Sequence, residues 1–92
     1  MEELNFDPKL LQRVQYMESL FDQLLAALRE GSFSPTDDPL QREKLRILTD
    51  YYHSPQWRSD YEADEEGGFP PNFKRGILSE DGFYLFLSQI AP

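Results

Sequence analysis

Three times in its first 55 residues the chain sets a capping residue directly before a proline, at Asp7-Pro8, Asp38-Pro39 and Ser54-Pro55. The capping side chain can accept from the free backbone N–H groups that open a helix. The proline costs nothing at the first helical position, where its missing donor would be unpaired anyway. No segment alternates apolar and polar residues with a period of two for long enough to suggest a strand. The expected fold class is therefore all-α.

From the first start, Leu10, Val14, Met17, Phe21, Leu24 and Leu28 recur at alternating spacings of four and three, flanked by Leu11, Leu20 and Leu25, until Gly31 offers a left-handed cap. This predicts a helix over 7–30, about 34 Å long at about 1.5 Å per residue. Its stripe has the spacing of a coiled-coil seam. It is expected to cover the chain's own later helices, so a monomer is the expectation and a homodimer through the first helix the alternative.

Residues 31–38 read as a short connector of turn-formers. A second helix, antiparallel to the first, is predicted over 39–53, with Gln41 in the capping-box position three residues after Asp38. A short third helix is predicted over 55–66, ended by Gly67-Gly68. Residues 67–78 form a Gly/Pro turn, because Pro70 and Pro71 fix φ and donate no hydrogen bond. A last helix is predicted over 80–90, capped by Ser79 with Glu80 and Asp81 in its first turn, its apolar face made by Phe83, Phe86, Leu87 and Ile90. The architecture is a small helical bundle, with two longer N-terminal helices and two short ones joined by a Gly/Pro-rich crossing.

Ninety-two residues with 39% apolar content suit one domain over 1–92, since burial at this size supports one core and not two. The chain has no cysteine, which removes disulfides, thiolate zinc sites and cysteine nucleophiles together. Its start, MEELNFDPK, is acidic where a signal peptide is basic, and no apolar run approaches the roughly 18 residues of a membrane span. A cytoplasmic location without membrane contact is expected. The net charge of -8, with basic residues scattered apart from Lys74-Arg75, repels a phosphate backbone and argues against nucleic-acid binding.

The chemistry-bearing residues concentrate between Tyr51 and Tyr84, a stretch that holds the single Trp, the single His, four of five Tyr and the densest acidic run. The acids Asp60, Glu62, Asp64, Glu65 and Glu66 fail the EF-hand spacing. Counted from Asp60, the sixth and twelfth positions hold Glu65 and Pro71 instead of Gly and Glu. Asp60 and Asp64 share one helical face and are the only weak candidates for a metal; otherwise the run reads as a solvated acidic face. His53, at a helix end, reads as a cap for the last carbonyls. No nucleophile elbow, phosphate-cradling loop or zinc motif occurs, and Ser54 and Ser79 are used as caps. Lys74 and Arg75 face two roles. They can pair with Asp60, Asp64 or Glu65 across the turn, or they can belong to a surface site.

The motifs W-R-S-D-Y-E-A-D-E at Trp57–Glu65, Gly68-Phe69-Pro70, and K-R-G-I-L-S-E-D-G-F-Y at Lys74–Tyr84 resemble a bacterial family known as domain of unknown function 4298. The likeness implies a small single-domain protein and carries over no activity, cofactor or catalytic residue.

The expected function is a non-enzymatic interaction or regulatory module that binds a protein partner through Trp57, Asp60, Tyr61, Asp64, Glu65, Lys74 and Arg75, where aromatic residues interleave with opposite charges. No catalytic residue and no cofactor are assigned. The alternatives are a metal-assisted or acid-base hydrolase using Asp60, Asp64 and His53, and an acidic nucleic-acid mimic.

Overall fold

The computed structural model describes residues 6–79 and 81–90. Among them the chain forms α1 (Pro8–Glu30), α2 (Pro39–Tyr52), α3 (Pro55–Glu65) and α4 (Gly82–Ile90), with a single 3-10 turn at Gly76–Leu78 and no strand. Each proline-led start is capped as its residues dictate. Asp7 accepts from the Lys9 N–H, Asp38 from Leu40 and Gln41, and Ser54 from Trp57. Gly31 closes α1 at φ 77°, where a side chain would be strained.

Three local details differ from the sequence expectation. Gln41 does not turn back on its own helix start. Its Oε1 accepts from Ser34 N–H at 2.6 Å and its Nε2 donates to Ser32 O at 3.0 Å, so it satisfies the connector while Asp38 alone caps α2. The second and third helices end one residue early, with His53 and Glu66 as C-caps. The last helix begins at Gly82, whose N–H is capped by Ser79 Oγ at 2.8 Å, because the 3-10 turn occupies Gly76–Leu78 just upstream. The expectation for Glu80 lies outside the described residues.

α1 packs most extensively on α2. The two run antiparallel: the connector holds the end of α1 near the start of α2, while Arg13 near the start of α1 and Tyr51 near the end of α2 meet on one carboxylate. The predicted stripe is used internally, with Leu10, Val14, Phe21 and Leu24 buried alongside Leu48 and Tyr51 of α2. The 3-10 turn drives Ile77 and Leu78 into the same cluster, and α4 adds Phe83 and Phe86. Phe21 meets Phe83 and Phe86 edge-on, each at 5.6 Å between centroids, and Tyr52 lies 5.2 Å from Phe83. Each fully buried Phe or Leu contributes about 1.5–3 kcal/mol. These contacts hold a nine-residue helix too short to persist alone. No helix is long and apolar enough to cross a membrane.

Candidate functional site

The seven residues singled out from sequence are drawn into one region by α3 and the turn that follows it, but they do different work. Asp60 is 1% exposed, so it does not belong to a solvated acidic face. Its Oδ2 accepts from Arg13 Nε at 2.9 Å and from the Tyr51 hydroxyl at 2.5 Å. Its Oδ1 accepts from Arg13 Nη2 at 2.8 Å and Gln56 Nε2 at 3.0 Å. A buried carboxylate persists only with such compensation. The four donors come from α1, α2 and α3, so this one side chain ties three helices. Burial, then the hydrogen bond to Asp60, holds the Tyr51 hydroxyl far above the ordinary tyrosine range, and the same carboxylate raises the Arg13 guanidinium.

One helical turn further on, Asp64 Oδ1 takes Arg75 Nε at 2.6 Å. Arg75 Nη1 also donates to Phe73 O at 2.8 Å and Pro70 O at 3.3 Å, and its guanidinium lies 5.7 Å over the Phe69 ring. Of the two roles open to Arg75 this is the pairing across the turn, with Asp64 as the acid, and it ties α3 to the 70–75 segment. Lys74 does not share in it. Its ammonium pairs at 2.8 Å with Asp22 on α1, which raises the lysine's pKa. The adjacent residues Lys74 and Arg75 are thus divided between α1 and α3.

Trp57 is half-buried. Its indole Nε1 donates to Ile77 O at 2.9 Å, its ring stacks on Tyr61 at 5.2 Å and 11°, and Tyr52 meets it edge-on at 5.1 Å. Tyr61 is half-buried and Glu65 is exposed. His53 is exposed, its Nδ1 3.0 Å from Thr49 O, as a helix-end cap requires.

Sequence reasoning missed two residues of α1. Arg13 is the partner of Asp60. Glu18, 7% exposed, accepts the Ile77 N–H on Oε1 at 2.9 Å and so caps the 3-10 turn from 59 residues away. Both were signalled by position: Arg13 stands three after Leu10 and four before Met17, and Glu18 stands four after Val14 and three before Phe21. A charge set inside an apolar stripe needs an internal partner. On its outer side Glu18 helps line a groove of about 460 Å³ between α1 and the turn, together with Gln15, Asp22, Asn72, Phe73 and Lys74.

The chemistry open to the region is narrow. Both Asp60 oxygens and one of Asp64 are engaged by donors, and no group of three or more Asp, Glu or His among the described residues is placed to hold a metal ion. A sequence model described as "Domain of unknown function (DUF4298)" matches residues 14–91, a span that holds all seven residues and Glu18. No curated protein and no solved structure matches the chain.

Proposed function

The chain belongs to the DUF4298 family, and on that premise we propose that it is a non-enzymatic protein-interaction module whose contact surface is the outer side of α3. The observation that carries this reading is the Trp57–Tyr61 stack. Two flat rings lie 11° from parallel, one of them fixed to the core through Ile77 O, with exposed Glu65 one turn beyond. Aromatic residues already held in place lose little freedom when a partner covers them, which is the property of interface anchors. Of the seven residues expected at this surface, Asp60 serves as the brace beneath it. Asp64 and Arg75 fix the turn at its edge. Trp57, Tyr61 and Glu65 supply what a partner would touch.

The test uses a variant that changes the surface and spares the brace. Tyr61→Ala with Glu65→Lys, confirmed as folded by circular dichroism, is compared with the natural chain in affinity capture followed by mass spectrometry. At least one protein captured by the natural chain should be lost. Identical partner lists would remove the claim. Trp57 and Arg75 are poorer choices, because each also holds a backbone carbonyl of the turn.

A further inference from the structure

We propose that the groove between α1 and the 72–74 segment seats the guanidinium of an arginine side chain carried by a partner protein. This site is distinct from the α3 surface, and its test is independent of that surface.

Charge complementarity is the first argument. Two carboxylates line the groove, Glu18 and Asp22, against one ammonium, Lys74, and the ammonium is bonded to Asp22. The Lys74 charge also acts on Glu18, so two carboxylates share one ammonium and the groove keeps one negative charge in excess; Glu18 is 7% exposed and its hydrogen-bond donor is the neutral Ile77 N–H. A carboxylate already withdrawn from water has had its desolvation met by the fold, and attraction to a cation is less screened there. The chain's net charge of -8 draws cations toward this surface.

The second argument selects arginine among cations. Glu18 and Asp22 are one helical turn apart on the same face of α1, within span of a planar fork with five donors. Phe73 is among the residues that line the groove, and a guanidinium stacks on a phenylalanine ring where an ammonium, strongly hydrated, gains less. The Phe73 backbone is fixed by its N–H on Pro70 O at 3.1 Å and by Arg75 Nη1 on its O at 2.8 Å, and its ring lies 5.3 Å from that of Phe69. The protein uses the same recognition internally a few residues away, where Arg75 pairs with Asp64 and lies over Phe69. The groove repeats that pairing of carboxylate and phenylalanine around an unfilled volume of about 460 Å³.

Lys74 then acts as a placeholder. Its side chain is 72% exposed, and an incoming guanidinium displaces it from Asp22 without disturbing the core. The assignment has a consequence that a purely structural role for these residues lacks: removing Lys74 should tighten binding while removing the Glu18 charge should weaken it.

The experiment follows backbone amide resonances of the full chain during titration with acetyl-Gly-Arg-Gly-amide, its citrulline counterpart and free L-arginine. The arginine peptide should give saturable shifts confined to residues 15–23 and 72–74, and the citrulline peptide none. Glu18→Gln keeps an oxygen for Ile77 N–H and should weaken binding by about tenfold, the loss of one charge-assisted contact. Lys74→Ala should strengthen it. Asp22→Asn, at a half-exposed position outside the Ile77 bond, gives the second reading should Glu18→Gln lose its fold. Equal shifts with citrulline, no saturable shift, or unaltered affinity in the Glu18 and Asp22 variants would overturn the assignment. Tighter binding of free L-arginine than of the peptide would overturn its protein-borne form.

Discussion

Arg13 and Asp60, 47 positions apart in the chain, meet through a two-pronged contact, Nε on Oδ2 at 2.9 Å and Nη2 on Oδ1 at 2.8 Å, with the carboxylate 1% exposed. Nothing else in the described residues joins the first turns of α1 to the middle of α3 by charge.

Removing one member of that pair strands the other. Asp60→Ala should cost about 3 kcal/mol, which lowers Tm by about 12 °C or more in a domain of this size. The double variant Arg13→Met, Asp60→Leu leaves no unpaired charge and should lose less than Asp60→Ala alone. Thermal melts followed by circular dichroism decide; a double variant as unstable as the single one would show that shape, not charge, sets the cost.

Tyr51 makes stability depend on alkaline pH. Its folded-state pKa lies above the unfolded value, so its contribution is complete below about pH 10 and declines as pH rises beyond it, by at most about 1.4 kcal/mol per pH unit. Tyr51→Phe gives up the bond to Asp60 and should be less stable at pH 8. Its stability should then fall less steeply than the natural chain's between pH 10 and 11.5. Urea unfolding at these pH values checks both signs, and parallel curves would contradict the assignment.

Gly82 opens α4, a place where alanine ordinarily helps a helix. Here an added Cβ would lie 2.6 Å from Ser79 Oγ and 2.7 Å from Gly76 O, and the second of these is backbone. Gly82→Ala should therefore destabilise by about 1–3 kcal/mol. Gly67→Ala has open space around it and should lose about 1 kcal/mol through its φ of 82° alone. Chemical denaturation of the two variants should rank Gly82→Ala as the more damaging.

Trp57 is a built-in reporter as well as a clamp. Trp57→Phe keeps the ring contact with Tyr61 but leaves Ile77 O without its donor, at a cost of about 1 kcal/mol. In the natural chain, Trp emission should shift to longer wavelength in the same transition that removes helical ellipticity. A separate earlier shift would mean that the 76–78 turn opens on its own.

What could be read from sequence was what is local. Asp7, Asp38, Ser54 and Ser79 cap groups within three residues of themselves, so their roles follow from spacing. The Arg75–Asp64 pair, 11 residues apart across the Gly/Pro turn, was legible only as one of several pairings open to Lys74 and Arg75. Asp60 read as a surface acid because its four donors sit on three helices whose relative placement no periodicity encodes. Lys74 read as a partner of α3 because the acids nearest in sequence are there, whereas in space Asp22 is at hand. Gln41 shows the same limit at short range: a capping-box position says which bond is possible, and the competing carbonyl of Ser32 decides which one forms.

The long reach of the α1 partnerships bears on how the protein assembles as it leaves the ribosome. Glu18, Asp22 and Arg13 find their mates 59, 52 and 47 residues downstream. The first helix emerges with its leucines uncovered and must wait for nearly the whole remaining chain before Ile77, Phe83 and Phe86 can close over them. Translation that stalls before residue 76 would leave a nascent chain whose apolar stripe is covered only in part, a target for a holding chaperone.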